Sequence, residues 1–203
     1  MTSTIIHTRT AETSVTLHPL LAERWSPRAF SAEHHMSQQE VSALLEAARW
    51  APSASNTQPW RFLVAHRGEA DFALITEHLA HGNKAWAWRA SLLVIAAARQ
   101  VDDEGKPLPW AMYDTGQAMS ALTMQAHSQD LFVHQMGGFD PEGIREAFAL
   151  DTALTPVVVA AVGRHDPDVE LPEQLAQREH APRVRLPLNS LLMNRQSRDQ
   201  TAA

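Results

Sequence analysis

The stretch Ala51-Pro52-Ser53-Ala54-Ser55-Asn56-Thr57-Gln58-Pro59-Trp60-Arg61-Phe62-Leu63-Val64-Ala65 decides the fold. Its first half carries three hydroxyls, two amides and two prolines, and so reads as an irregular loop offering hydrogen-bonding groups. Its second half is mostly apolar and reads as a strand launched by Pro59-Trp60. Upstream, Ser37-Gln38-Gln39-Glu40 is a capping box, in which Ser37 and Glu40 satisfy each other's orphan N–H groups. Val41, Leu44, Leu45 and Ala48 then share one helical face, and that helix stops before Pro52. A helix, a polar loop and a buried strand therefore follow one another within thirty residues.

Working outward, Thr16 to Arg24 is predicted as a short helix and Trp25 to Met36 as a loop. Phe72, Ile75 and Leu79 fall at helical spacing. Ser91–Ala98 and Thr155–Val162 are continuous apolar runs and read as central strands buried on both faces. Asp102-Asp103-Glu104-Gly105 is a solvated turn. Trp110 to Ser128 reads as one long helix, with Gly116 as a point of close packing. Asp140-Pro141-Glu142 starts another, with Asp as N-cap and Pro in the first turn. Beyond Gly163 the periodicity fades. The tail from Arg178 ends in an apolar cluster, Leu186, Leu188, Leu191 and Leu192, which has little of its own domain to bury against and is expected to pack on a partner. No internal repeat and no low-complexity block occurs. Alternating strands and helices imply a layered arrangement. The expected organisation is a flexible N-terminus over 1–15, one domain over 16–192 and a flexible C-terminus over 193–203.

Composition narrows the chemistry. The 203 residues have 44% hydrophobic and 20% charged content, as in ordinary globular proteins. Such a chain can bury roughly 70% of its unfolded surface, so its core needs no disulfide or metal staple. A net charge of −6 disfavours non-specific nucleic-acid binding. Cysteine is absent, which excludes thiol nucleophiles, disulfides, cysteine-ligated zinc and iron–sulfur clusters. Residues 1–11 have no apolar signal region and no run is long enough to span a bilayer, so a cytoplasmic protein without membrane contact is expected. Of the 17 basic residues only Lys84 and Lys106 are lysines, so an anion site must be built mostly from arginine forks.

The eight glycines form neither G-x-G-x-x-G nor a P-loop, and G-x-S-x-G and H-E-x-x-H are absent. His34 and His35 are adjacent and would point apart. His78 and His81, at i,i+3, lack a third ligand at matching spacing; they read as surface histidines without a metal. Two further segments carry chemistry. Arg24-Trp25-Ser26-Pro27-Arg28 places two arginines and a hydroxyl in five residues, a set that suits phosphate, although alone it reads better as a solvated basic turn. Met136-Gly137-Gly138-Phe139-Asp140-Pro141-Glu142 puts paired glycines directly before a helix. This is equally a plain passage from loop to helix or a place where a main-chain N–H approaches a planar ligand.

Taken together these segments resemble the FMN-dependent nitroreductase family. The resemblance rests on Arg24-x-Ser26-x-Arg28-x-Phe30, Ala51-Pro52-Ser53-x-x-Asn56-x-Gln58-Pro59-Trp60, Gly137-Gly138-Phe139-Asp140, Asn83, and Arg183-x-Arg185, in family order over residues 17 to 192. It implies an α+β fold of mixed layers: a central mixed sheet flanked by helices, in a homodimer that exchanges C-terminal tails. It implies FMN in clefts at the dimer interface, with NADPH or NADH as electron donor. Arg24 and Ser26, beside Trp25, would meet the phosphate together with Arg183 and Arg185. Arg28 and Asn83 would approach the pyrimidine edge of the ring. Pro52, Ser53, Ala54 and Asn56 would come from the partner subunit. Gly138, with Gly137 beside it, would aim an N–H at flavin N5, and Met136 would pack on the ring face.

The implied reaction is a ping-pong hydride transfer from NAD(P)H to N5 and on to an electron-poor acceptor such as a nitroaromatic or quinone, with no catalytic side chain. Alternatives on the same fold are a specialised flavin dehydrogenase or dehalogenase, an enzyme of flavin breakdown, and a non-catalytic FMN carrier; a structural dimer without cofactor is a further one. Two departures from the family concern the substrate pocket. Only a short stretch separates Ala98 from Tyr113, where larger members insert a lid, and Gln129-Asp130 replaces a frequent glycine turn.

Overall fold

The computed structural model describes residues 9–193. Four strands, β1 (Trp60–His66), β2 (Leu92–Arg99), β3 (Phe132–Met136) and β4 (Leu154–Gly163), form one sheet in the order β1-β2-β4-β3. Seven α-helices surround it: α1 (Pro19–Ala22), α2 (Gln38–Arg49), α3 (Ala70–Glu77), α4 (His81–Ala87), α5 (Ala111–Ser128), α6 (Pro141–Ala147) and α7 (Glu173–His180). The α+β class is as the sequence implied. All three strand pairings are antiparallel, so the parallel pairing that a mixed sheet requires is not made among the described residues.

The central strands are apolar but for Thr155 and the terminal Arg99, because both faces of the sheet are covered. On β2, Leu92, Val94 and Ala96 join a cluster with Leu44 of α2 and Met119 and Leu122 of α5. The alternate residues Leu93 and Ile95 join Ile75 of α3, Trp86 of α4, Ile144 of α6 and Leu175 of α7 on the opposite face. β4 divides in the same way, Ala160 and Val162 to one side, Val159 and Ala161 to the other. This is the period of two that a strand imposes. Pro156 lies inside β4 without an N–H to give. The pairing with β2 slips by one residue there, between Ala96 and Ala97, and that bulge accommodates the missing donor.

The capping box forms: Ser37 N–H donates to Glu40 at 2.7 Å, and Glu40 N–H donates to Ser37 Oγ at 3.3 Å. Asp140 caps α6 by accepting the Gly143 N–H at 3.0 Å. The helix expected over 16–24 shortens to the single turn of α1, because Pro19 occupies its first turn and His18, not an upstream residue, provides the cap. Asp130 takes φ 57°, a left-handed turn that aspartate tolerates better than most residues.

Trp86 is 1% exposed and sits in the lower core, the cluster on the α3, α4, α6 and α7 side of the sheet. Its ring stacks 6.0 Å from Phe30 and lies 4.5 Å from His134 of β3. Trp86→Ala is expected to cost about 3–5 kcal/mol. Urea denaturation checks this; a loss below about 1 kcal/mol would show that the site collapses without cost.

Candidate active site

Three segments far apart in sequence meet at one cleft of about 180 Å3, lined by Arg9, Arg24, Trp25, Ser26, Arg28, Arg178, Arg183 and Arg185. Six of these eight residues are arginines. Arg24 Nη1 donates to Ser26 Oγ at 3.4 Å, a local bond within the loop. Burial and the neighbouring Arg185 charge lower the pKa of Arg24. The Arg183 guanidinium is likewise lowered, first by burial and then by Arg24, Arg185 and Arg9. Every charge acting on Arg183 is thus another cation. Such a cluster is electrostatically unfavourable by itself and calls for a bound anion.

Arg183 also builds the cleft. Its Nη1 donates to the carbonyls of Ala22, at 2.7 Å, and Arg9, and its Nη2 donates to Arg24 O at 2.9 Å. Three of its five N–H donors are therefore spent on main chain and two remain for a ligand. Arg9 lies 4.4 Å over the Trp25 ring and donates to Ala181 O. Trp25 in turn packs edge-on against Phe132 and His165. It is half-buried, a prop for the loop more than an exposed contact.

The loop is fixed from below by two titratable groups. His134 Nδ1 lies 2.9 Å from the Pro27 carbonyl, which can only accept, so that nitrogen carries the proton. Burial, helped by the Arg28 charge and opposed by this hydrogen bond, holds the His134 pKa down at about 4. Glu179 of α7, 3% exposed, accepts the N–H groups of Arg28 and Ala29.

His134 and Trp86 also link the cleft to the glycine segment. Asn83 stands one turn before Trp86 on α4, and its Nδ2 donates to Gly138 O at 2.9 Å. The Ala80 N–H donates to the same carbonyl. A Cβ on Gly138 would stand 3.1 Å from Asn83 Nδ2 and 3.3 Å from Ala80 Cβ, so glycine permits this close approach. The Gly138 N–H has no main-chain acceptor among the described residues. Met136 departs from expectation. It ends β3 with 2% exposure in the lower core, so its side chain faces its own domain and is not available to a ring.

The loop carrying Pro52, Ser53, Ala54 and Asn56 lies elsewhere on the chain. It shares no lining residue with the arginine cleft; Pro52 instead borders a groove of about 550 Å3 along α5, with Met112, Tyr113, Gly116 and Met124. Ser55, Asn56 and Gln58 adopt φ of 51°, 57° and 47°. Such non-glycine conformations cost about 1–3 kcal/mol each and collect at functional sites. Ser53 Oγ accepts the Gln58 N–H at 3.1 Å, and the buried Asp114 of α5 accepts the Ala54 N–H at 3.0 Å. Among the described residues no cluster of His, Asp or Glu could hold a metal ion, and no helix is long and apolar enough to cross a membrane.

Sequence reasoning missed Arg9, Arg178, Asp114, His134 and Glu179. The first two were basic residues without a motif. The last three are polar residues buried or half-buried on regular elements, two of which, β3 and α7, were not anticipated.

His134 is neutral in the folded chain over a range where the unfolded chain takes up a proton. Its contribution to stability is complete above pH 6.5, the ordinary value, and is lost as pH falls toward 4, at about 1.4 kcal/mol per unit. His134→Asn should flatten this acid limb when stability is measured by denaturant at each pH; an unchanged slope would contradict the assignment.

The nitroreductase family model matches residues 21–81 and 72–164. An uncharacterised 15.4 kDa protein of Mycolicibacterium smegmatis is 32% identical over 64% of this chain and 92% of its own. A Streptomyces coelicolor protein, provisionally named NADH dehydrogenase/NAD(P)H nitroreductase, is 27% identical over 68% and 79%. A crystal structure described as an oxidoreductase containing FMN superposes with a TM-score of 0.85, at 36% identity, covering 91% of this chain and 94% of that one. The chain belongs to the nitroreductase family.

Proposed function

We propose that the chain is an FMN-dependent NAD(P)H oxidoreductase that reduces an electron-poor acceptor such as a nitroaromatic or quinone, working as a homodimer. The observation that carries the reading is the convergence of six arginines on one cleft, where burial and then neighbouring cations lower the pKa of Arg24 and Arg183. A phosphate dianion is the counter-charge such a cleft lacks, and forked guanidinium donors match its oxygens. The family relationship and the FMN named for the similar oxidoreductase point to the same ligand. The NAD(P)H donor rests on the name of the Streptomyces relative.

The residues present fit FMN. Arg24, Ser26, Arg185 and the two spare donors of Arg183 would hold the phosphate. Arg28 would bring positive charge toward the pyrimidine edge, with Asn83 beside it. The open N–H of Gly138 would meet an acceptor on the ring. When bound, FMN supplies reversible two-electron chemistry between a nicotinamide and the acceptor. The protein's part is to hold, orient and polarise, so no side chain need make or break a bond.

The dimer is supported by surface left uncovered in one chain. Val184, Leu186, Leu188 and Leu191 of the tail are 60–76% exposed, and Trp110 and Tyr113 at the start of α5 are 60% and 64% exposed. This apolar surface is best buried against a second copy. The same association would carry the strained Pro52–Asn56 loop toward the arginine cleft of the other subunit.

Purified protein mixed with FMN and titrated anaerobically with NADH or NADPH should bleach, and recover its colour on adding a nitroaromatic or quinone. Failure to bleach with either nicotinamide would favour a specialised flavin dehydrogenase. Bleaching without turnover on any acceptor would favour a carrier. Arg24→Ala should weaken FMN binding by about 1.5–3 kcal/mol, roughly 10- to 150-fold; unchanged affinity would refute its phosphate role.

A further inference from the structure

Glu179, behind the Arg28 edge of the cleft, is a residue that the phosphate site does not explain. A carboxylate beside Arg28 reduces the charge available to an anion, and burying it is costly unless it is fully engaged. Its side chain is 4% exposed. Both oxygens accept the Arg28 N–H, at 3.0 and 2.9 Å, and Oε1 also accepts the Ala29 N–H at 3.2 Å. Oε2 lies 3.6 Å from Arg28 Nη1, and Oε1 lies 3.9 Å from His165 Nε2.

This arrangement separates two roles. The main-chain bonds pin the Arg24–Arg28 loop to α7, one turn before the tail that carries Arg183 and Arg185. The longer contact is different. At 3.6 Å it lies outside ordinary hydrogen-bond range, so the guanidinium keeps its donors for a ligand while feeling the carboxylate's charge. Leu175 and Glu179 are the buried residues of α7, four apart on one face, so the carboxylate's position is set by core packing. His165 does not replace Arg28 as counter-ion, since burial lowers its pKa below the ordinary value.

We propose that Glu179 is a positioning residue that lowers the reduction potential of the bound flavin, its carboxylate fixing Arg28 and offsetting part of the guanidinium's charge. The proposal rests on the FMN reading above. The reduced flavin carries more negative charge than the oxidised form, so a cation at the ring edge favours reduction and a compensated cation favours it less. Glu179 therefore keeps the reduced cofactor a stronger donor toward the acceptor than Arg28 alone would allow.

The test is spectroelectrochemical titration of the FMN-loaded protein. Glu179→Gln retains a carbonyl acceptor for the main-chain N–H groups and removes the charge. It should raise the two-electron potential by about 30 mV, a tenfold shift in the reduction equilibrium, while the affinity for oxidised FMN changes less than threefold. A residue serving structure alone would weaken oxidised and reduced FMN equally and leave the potential in place; that result, or a fall in potential, overturns the proposal. A second comparison does not depend on the single variant folding. Arg28→Ala leaves the carboxylate uncompensated and should lower the potential, and adding Glu179→Gln to it should restore part of the loss; no restoration contradicts the proposal. If the unaltered protein takes up no FMN, the functional reading itself fails, an outcome distinct from uptake with an unmoved potential.

Discussion

Like charges held together in a half-buried cleft constrain the rest of this structure. Arg9, Arg24, Arg28, Arg178, Arg183 and Arg185 come from the N-terminal segment, the loop after α1, and α7 with the tail beyond it. Repulsion among them would splay the segments apart. The chain opposes this mainly with bonds to main chain, and Glu179 adds a compensating charge beside Arg28. Arg183 spends donors on three carbonyls, His134 holds the Pro27 carbonyl, and Glu179 holds the N–H groups of Arg28 and Ala29. These groups fix positions while leaving most of the positive charge uncompensated. That is the condition of a preorganised anion site, in which orientation costs little at the moment of binding.

The sheet explains why such a site can be assembled from separated pieces. With helices on both faces, β2 and β4 form a rigid floor, and the functional segments are all loops or short elements at its margins. The two pieces that the ring edge would require, Asn83 and Gly138, touch directly. Trp86 and His134 join them to the arginine loop through the lower core. The strained loop after α2 is tied instead to α5, through Asp114 and Ala54, near the exposed apolar surface of that helix. Within one chain, the strained loop and the arginine cleft thus stand apart.

Much of this was legible in the sequence. The capping box, the two apolar central strands and the long helix α5 are each specified by local pattern strong enough to survive tertiary context. The arginine and glycine segments were legible through their residue types and order. What was hidden has a physical reason in each case. β3 is a five-residue strand with His134 and Gln135 in it, so its alternation is weak. α4 has no side-chain N-cap bond and contains a glycine. α7 has two buried residues, one of them a glutamate, so its inward face looks polar. Met136 reads as an available thioether beside paired glycines, yet strand geometry turns it into the core. Burial of a polar or flexible side chain depends on what packs against it, which local pattern does not carry.

The central claim is that the arginine cleft grips a phosphate, and it is tested most directly by comparing the protein's affinity for FMN and for riboflavin, which share the ring and differ in the phosphate. FMN should bind at least about a hundredfold more tightly at low salt, with the gap narrowing as ionic strength screens the arginines. Equal affinity for the two flavins, insensitive to salt, would contradict the account.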